Sequence, residues 1–288
     1  MIDLHMHTKY SDGTDNIIEF LQKAEKNNLE IISITDHNNV KAYYELEKLN
    51  VKDYFHGKII TGIELNTKIL NIPIEVLGYN IDYKLMDSLL PSFYLSPKER
   101  NKIELNRLYK KCLTAGLKIS EDDFSTYDYS DFASKFIHTL ITKDEYNKQF
   151  IDEEAWDNSS AFYRKYMSNP NTPLYVEMDD IIPDFKTVSD LIKNCGGFIF
   201  IPHIFEYRDN ADKILNFILN NYEIDGIECY YTTFSSEQTQ KLLQICKNRF
   251  LYISGGSDYH GGNKPNINMA KGLGNLNIPL DITYTWLK

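Results

Sequence analysis

Two histidines and an aspartate gather at the start of the chain, and this segment constrains the fold more than any other. Residues 2–13 place His5, His7 and Asp12 within eight positions. If residues 2–7 form a strand, His5 and His7 point to the same face, because side chains alternate along a strand. The turn at residues 11–13 would then return the Asp12 carboxylate toward the strand end. This segment therefore predicts half of a metal site, whose other ligands must come from elsewhere in the chain.

Segments of strand and helix character alternate along most of the sequence. The first helix is expected over residues 14–28, with Asp15 as its cap. Such alternation predicts an α/β fold in which about seven strand–helix units build a parallel sheet, closed as a barrel. Strands after the first are expected near residues 29–35, 58–65, 69–79, 198–201, 225–230 and 251–255.

The character of the sequence changes between residues 85 and 180. Long amphipathic segments at residues 97–115 and 132–150 are dense in charge. We expect residues 85–180 to form an inserted helical lobe that covers the mouth of the barrel, and residues 1–84 and 181–288 to form the barrel itself. A lobe of this size suits a substrate larger than a phosphorylated amino alcohol.

Residue types that bind metal recur at the ends of the predicted strands. A lone pair of histidines more often has a structural role, but five of the seven histidines lie at these ends, and only His56 and His138 do not. Because the C-terminal ends of barrel strands meet at one mouth, side chains from distant segments are expected to meet there. The residues concerned are His5, His7, Asp12, Asp36, His37, Glu64, His203, Asp258 and His260.

Glu64 is the carboxylate with the strongest case. It lies near the end of an apolar strand, where a buried acid is costly unless it is paired or bound to metal. Histidine and carboxylate ligands without thiolates suit manganese, iron(II) or zinc. The ligands outnumber what one ion can use, so we expect several ions with Glu64 as a bridge. Glu75, in the next β-branched segment, also suits an edge strand on which it would face water.

These segments resemble, in their order, the motifs of the PHP (polymerase and histidinol phosphatase) family. The resemblance rests on residues 3–8 and 11–13, then 35–37, 62–64, 202–203 and 256–260. Residues 99–101, the His138 segment, and residues 162–163 and 175–176 resemble the free-standing members that act on nucleoside 3',5'-bisphosphates and short RNA 5' ends. The resemblance implies a distorted seven-stranded barrel that holds three metal ions.

The resemblance also assigns ligands by position and shows two departures. Glu75 stands where those relatives have a histidine, and a carboxylate there would favour a harder ion. Phe136 stands where they have an arginine, so contacts with substrate phosphate are expected to differ. The implied sets are His5, His7, Glu64 and Asp258 for the first ion, Glu64, Glu75 and His203 for the second, and Asp12, His37 and His260 for the third.

The chemistry that fits is hydrolysis of a phosphate ester by a hydroxide that bridges two ions, out of two to three in total. The expected substrate is a nucleoside 3',5'-bisphosphate or a short 5'-phosphorylated oligonucleotide. Asp36 and His260 are the expected catalytic side chains, and Asp36 would orient a ligand histidine or cap the next element. A histidinol-phosphate-type phosphatase and a catalytically silent metal-binding sensor or scaffold are the alternatives. Substrate contacts are expected from His138, Arg164, Arg208 and Lys264, although each also suits a packing or surface role.

The charge of the chain limits its partners. Thirty-one basic and 41 acidic residues give a net charge of -10, which disfavours duplex nucleic acid and leaves small anionic substrates open. No apolar run approaches the roughly 20 residues needed to span a bilayer. We therefore expect a cytoplasmic monomer that does not bind membranes. The four cysteines are far apart in the sequence and are expected to be buried free thiols.

Overall fold

The computed structural model describes residues 1–287. It contains a seven-stranded sheet whose strands follow one another in chain order. Backbone hydrogen bonds from Leu4 N to Gly255 O (3.1 Å) and from Asp258 N to His5 O (2.8 Å) join its two edges. The predicted α/β barrel is thus confirmed. The strands are β1 (Ile2–Asp3), β2 (Ile31–Ile34), β3 (Lys58–Ile69), β4 (Ile72–Tyr79), β5 (Phe198–Ile201), β6 (Gly226–Tyr231) and β7 (Tyr252–Gly256).

Strand β4 runs against its neighbours. It pairs antiparallel with both β3 and β5, whereas β1–β2, β2–β3, β5–β6 and β6–β7 are parallel pairs. The prediction of a wholly parallel sheet is therefore wrong at this strand. Ile69 pairs with Ile72, and the two residues between them, Leu70 and Asn71, have φ of 52° and 59°. A two-residue turn of this kind joins antiparallel strands without a crossover helix.

The chain divides into two units, each with its own core. The first comprises Met1–Phe93 and the chain from Ile182 onward, and the second is Tyr94–Ile181. Among residues 1–287, no helix has both the length and the apolar composition that crossing a membrane requires. In chain order the α-helices are α1 (Ile17–Lys26), α2 (Lys41–Leu46), α3 (Tyr83–Leu89), α4 (Pro97–Thr114), α5 (Ala133–Ile141), α6 (Glu153–Asp157), α7 (Ser159–Phe162), α8 (Phe185–Asn194), α9 (Ala211–Asn221) and α10 (Ser236–Arg249).

Helix α1 is capped by Asn16, one residue after the cap that the sequence predicts. The Asn16 side chain accepts a hydrogen bond from the Glu19 N–H (3.0 Å), and the Glu19 carboxylate accepts one from the Asn16 N–H (3.1 Å). This reciprocal pair is a capping box, which satisfies two backbone donors at once. The expected cap, Asp15, is instead buried and accepts hydrogen bonds from Lys23 Nζ (2.7 Å) and the Tyr259 hydroxyl (2.8 Å).

The C-terminal segment contributes to the core of the first unit. Trp286 is 4% exposed, and its ring centroid lies 4.8 Å from that of Phe200 and 5.5 Å from that of Tyr79. The indole N–H donates to Ile253 O (3.1 Å), so the polar atom of this large side chain is satisfied. The same apolar cluster includes Ile2, Leu4, Ile60, Leu77 and Ile278.

The second unit is helical and packs around α4 and α5. Its apolar cluster includes Leu105 and Leu108 from α4 and Ile137 from α5, all nearly fully buried. The helix expected over residues 132–150 ends at Ile141, and a 3₁₀ segment follows at Glu145–Phe150. Over both units, the four cysteines are buried and free, as expected.

Candidate metal centre

The carboxylate of Glu64 lies among the imidazoles of four histidines. Its Oε1 is 2.9 Å from His203 Nε2, and its Oε2 is 3.1 Å from His5 Nε2. Oε2 also lies 3.3 Å from His7 Nε2 and 3.4 Å from His37 Nδ1. Glu64 is only 1% exposed. A buried carboxylate in this position can be shared by more than one cation.

The strand ends bring these residues together from distant parts of the chain. A parallel bridge aligns His37, just after β2, with Glu64 on β3. Another parallel bridge joins Met6 to Tyr259, so the segment with His5 and His7 lies beside the one with Asp258 and His260. Convergence at the C-terminal strand ends is the arrangement expected of a parallel barrel.

Asp258 is the second buried carboxylate of the cluster. Its Oδ1 lies 3.2 Å from His7 Nε2, and its Oδ2 accepts hydrogen bonds from the Tyr231 hydroxyl (2.7 Å) and Lys264 Nζ (2.6 Å). The backbone of Asp258 is left-handed, with φ of 58°. Lys264, a predicted substrate contact, thus reaches the cluster through an ion pair with Asp258.

One side of the cluster is open to solvent. The side chains of Asp12, Glu75 and His37 are 49%, 30% and 24% exposed, whereas those of His5 and His7 are fully buried. Glu75 Oε2 lies 3.3 Å from His203 Nε2, so this carboxylate faces the cluster. On the same open side, Asp12 Oδ2 lies 3.1 Å from the Nε2 atom of His260.

The charges of the cluster shift the acidity of its members. Burial lowers the pKa of His7, but the carboxylates of Asp258 and Glu64 outweigh it and raise that pKa to about 10. Burial likewise lowers the pKa of His203, yet Glu64 raises it to about 9. For Glu64 itself, burial raises the pKa, and His5 with the other imidazoles holds it well below its usual range. The Glu64 carboxylate is therefore ionised and attracts cations.

Glu75 differs from the other carboxylates of the cluster. Burial and the neighbouring charge of Glu64 raise its pKa. By contrast, burial raises the pKa of Asp258, but His7 and His5 hold it well below its usual range. Glu64 and Glu75 face the same histidine, His203, so the two carboxylates cannot both ionise freely unless further positive charge is supplied.

Several buried ring nitrogens fit ligands of a metal ion. Within the described part of the chain, both nitrogens of His7 and the Nδ1 atoms of His37 and His203 make no hydrogen bond. Buried polar atoms are normally paired, so the nitrogens of His7 and His37 that face the carboxylate of Glu64 mark positions for bound cations. Nitrogen and carboxylate donors without thiolates suit borderline to hard divalent ions. Donor atoms lie within 4.8 Å of one another in three groups: His7, Asp12, His37 and His260; His5, His7 and Glu64; and His37, Glu64 and Glu75.

Asp36 makes its hydrogen bonds to Thr8 and Ser11, in the turn that follows His7. Its Oδ1 accepts hydrogen bonds from the Thr8 N–H (2.7 Å) and the Ser11 hydroxyl (2.6 Å), and its Oδ2 accepts one from the Thr8 hydroxyl (2.7 Å). These contacts hold the turn that presents His7 and Asp12. The expected catalytic role of Asp36 stays a prediction.

The other predicted substrate contacts are not members of these groups of donors. In the second unit, His138 Nε2 lies 2.8 Å from Ala155 O, and the ring packs against Phe162 at 5.4 Å between centroids. Arg164 is exposed in the π-helical segment Tyr163–Met167 of that unit. In the first unit, Arg208 is exposed in the segment Ile204–Asn210, which follows His203.

The structure adds two side chains that sequence reasoning did not select. Glu228, on β6, is fully buried and contacts His5 Nδ1 through its Oε1 (3.0 Å). The Tyr207 hydroxyl accepts a hydrogen bond from the Glu75 N–H (2.8 Å). Glu228 carries the same signal that identifies Glu64, an acid within an apolar strand. Tyr207 lies in an irregular segment, and no pattern in the sequence distinguishes it.

Comparison with known proteins gives one family match and several relatives. The family model of the PHP domain matches residues 3–222. A 5'-3' exoribonuclease of Haemophilus influenzae is 23% identical over 262 residues, covering 90% of this chain and 89% of that protein. A 3',5'-nucleoside bisphosphate phosphatase of Chromobacterium violaceum is 22% identical over 261 residues, covering 90% of this chain and 87% of that protein.

Solved structures share the fold over most of the chain. A Bifidobacterium adolescentis protein described as a metal-dependent phosphoesterase superposes with a TM-score of 0.69 at 20% identity, covering 99% of this chain and 95% of its own. An amidohydrolase of Chromobacterium violaceum with bound sulfate gives a TM-score of 0.63 at 21% identity, covering 91% of this chain and 88% of its own. At these identities the likeness concerns the fold alone.

Proposed function

The chain belongs to the PHP domain family and is a hydrolytic phosphoesterase, and from this premise we propose that it hydrolyses a phosphate ester of a small nucleotide. The proposed substrate is a nucleoside 3',5'-bisphosphate or a short 5'-phosphorylated oligonucleotide. The names of two relatives, a nucleoside bisphosphate phosphatase and an exoribonuclease, support this substrate class. The observation that carries the proposal is the cluster around Glu64, where buried ring nitrogens without hydrogen bonds meet ionised carboxylates.

We assign two to three divalent cations, manganese, iron(II) or zinc, to this cluster. When bound, such cations lower the pKa of a water molecule and neutralise the charge on phosphoryl oxygens. Glu64 is the proposed shared ligand, since its two oxygens face different histidines. The proposed ligand sets are His5, His7, Glu64 and Asp258; Glu64, Glu75 and His203; and Asp12, His37 and His260.

The residues on the open side determine where the phosphoryl group enters. Asp12, His37 and Glu75 are the exposed members of the cluster, so the ester would approach between them. His260 donates its Nδ1–H to Asp258 O (2.9 Å), which fixes the ring and leaves Nε2 facing Asp12. We therefore propose that His260 acts at this open side as a cation ligand through Nε2, in the set with Asp12 and His37.

Arg208 is the proposed contact for the rest of the substrate. Its φ of 50° and ψ of -121° belong to a region that residues with side chains rarely adopt. Strained backbone of this kind persists where the surrounding structure imposes it, and it clusters at functional sites. Because Arg208 is exposed and follows the His203 segment, we assign its guanidinium to a second phosphate of the substrate.

A panel of esters tests the proposal. Purified full-length protein is assayed for phosphate release from adenosine 3',5'-bisphosphate and histidinol phosphate, and for shortening of a 5'-phosphorylated RNA oligonucleotide. We expect turnover of the bisphosphate or the RNA, its loss with a chelator, and its recovery with Mn²⁺, Fe²⁺ or Zn²⁺. Turnover of histidinol phosphate alone would replace the proposal with the amino-alcohol phosphatase. Metal binding without turnover of any ester would favour the sensor.

The Glu75→His variant tests the departure from the family at this position. An imidazole suits zinc and iron(II) better than manganese, whereas a carboxylate suits manganese. We expect the variant to keep its fold and the ratio of its activity with Mn²⁺ to that with Zn²⁺ to fall by about tenfold. Glu75→Gln, which supplies neither an imidazole nor a charge, is the matched control and should lose activity with both ions. An unchanged ratio in Glu75→His would show that Glu75 is not a ligand.

A further inference from the structure

A single buried carboxylate connects two of the strand ends that carry histidines. Glu228 is fully buried on β6, at a bulge where the register with β7 shifts. Its Oε1 accepts a hydrogen bond from His5 Nδ1–H (3.0 Å), and its Oε2 accepts one from the backbone N–H of His203 (2.8 Å). His5 follows β1 and His203 follows β5. Glu228 thus fixes an imidazole at one strand end and the main chain at another.

Each of the two hydrogen bonds to Glu228 determines how one imidazole, that of His5 or that of His203, faces Glu64. Since Nδ1–H of His5 points to Glu228, Nε2 is the atom that lies 3.1 Å from Glu64 Oε2. His203 has φ of 23° and ψ of 45°, a left-handed backbone that a side chain disfavours. Its bond to Glu228 helps to hold that backbone, and its Nε2 lies 2.9 Å from Glu64 Oε1. The two histidines that Glu228 fixes therefore converge on the same carboxylate.

We propose that Glu228 is a positioning residue of the metal centre. It selects the form of His5 that keeps its proton on Nδ1, and it sets the backbone of His203, so that both Nε2 atoms are available as ligands. A carboxylate that accepts the second N–H of a ligand histidine fixes the ring and increases its basicity. This inference rests on the metal centre assigned under the proposed function, and it adds a residue that binds neither metal nor substrate.

The Glu228→Gln variant separates positioning from simple packing. Glutamine has the same shape but offers one acceptor and one donor in place of two acceptors. The His203 N–H can only donate, so the amide oxygen must face it and the amide NH₂ must face His5 Nδ1. This arrangement favours the ring form with its proton on Nε2, which cannot bind a cation. We expect the variant to fold and to bind Mn²⁺ and Co²⁺ about 10- to 100-fold more weakly than the wild type.

A matched control lies at the other end of the same two strands. Asp225 precedes β6, accepts a hydrogen bond from the Ile199 N–H of β5 (2.7 Å) and pairs with Lys193 (2.8 Å). Asp225→Asn therefore removes a charge from a carboxylate that also joins β5 to the start of β6. We expect it to change stability but neither the Mn²⁺ affinity nor the visible absorption spectrum of the Co²⁺ form, whereas Glu228→Gln should change both.

The measurement is equilibrium titration of metal-free, full-length protein with Mn²⁺ and Co²⁺, with the Co²⁺ spectrum recorded at saturation. Wild-type affinity and an unchanged Co²⁺ spectrum in Glu228→Gln would overturn the inference, as would equal losses of affinity in Glu228→Gln and Asp225→Asn. If Glu228→Gln does not fold, Glu228→Asp decides, since it keeps two acceptors on a shorter side chain. It should change the Co²⁺ spectrum more than Asp225→Asn does, and an unchanged spectrum would overturn the inference. A wild-type protein that binds ions without turnover would contradict the proposed function and leave the inference to be judged on affinity.

Discussion

Replacement of Glu64 by glutamine is expected to abolish metal retention and to reduce phosphoesterase activity by roughly a thousandfold. Glutamine preserves the volume of the side chain but removes the negative charge that the surrounding imidazoles face. Loss of the shared ligand removes about 4 kcal/mol of transition-state stabilisation, which is within the range that bound cations supply. The measurements are the metal content of the protein purified without chelator and the initial rate of phosphate release from adenosine 3',5'-bisphosphate.

A surface glutamate provides the control for this variant. Glu25 accepts hydrogen bonds from the backbone and the ring of His56, a histidine whose side chain is 72% exposed. Glu25→Gln removes the same charge from a glutamate–histidine pair outside the cluster, and it should retain both metal and activity. Wild-type metal content in Glu64→Gln would contradict the assignment of Glu64 as the shared ligand.

Trp286→Ala is expected to lower the free energy of unfolding by about 3–5 kcal/mol, the range found for truncation of a buried aromatic residue. The substitution leaves a cavity beside Phe200 and Tyr79, and it removes the N–H that Ile253 O accepts. The resulting unpaired carbonyl adds to the cost. Urea denaturation followed by circular dichroism measures the effect.

Its control is an aromatic residue two positions away. Tyr284 is 68% exposed, so Tyr284→Ala should change the free energy of unfolding by less than about 0.5 kcal/mol. Equal effects of the two substitutions would mean that Trp286 is not part of the core. A small effect of Trp286→Ala alone would have the same meaning, since a buried indole cannot be removed without a cavity.

The strands that carry the candidate ligands were predictable from the sequence. An acid within an apolar strand, or several histidines at strand ends, has few explanations other than a metal site. Strand β5 has the predicted bounds, Phe198–Ile201, whereas β3 continues to Ile69, so Glu64 lies inside that strand rather than near its end. The direction of β4 was not predictable, since a β-branched segment has the same pattern in either direction. Its turn at Leu70 and Asn71 lacks the glycine that usually signals a tight hairpin.

The positioning residues were harder to predict than the candidate ligands. Asp36 and Glu228 act through hydrogen bonds to segments far away in the sequence, Thr8 and Ser11 for one and His5 and His203 for the other. Composition and periodicity identify a residue type on a face, but they do not identify which distant donor the fold places opposite it. Asp15 is a similar case, because its partner Tyr259 comes from the other end of the chain.

The hairpin of β3 and β4 limits how this chain can change in evolution. Glu64 pairs with Leu77 and Glu75 pairs with Asn66, so the two glutamates lie on neighbouring strands with their side chains on the same face. A shift of one residue in the pairing of the two strands would turn Glu75 to the opposite face, because side chains alternate with a period of two. Insertions and deletions between the two glutamates are therefore compatible with the site only where the turn absorbs them and the register of the strands is kept.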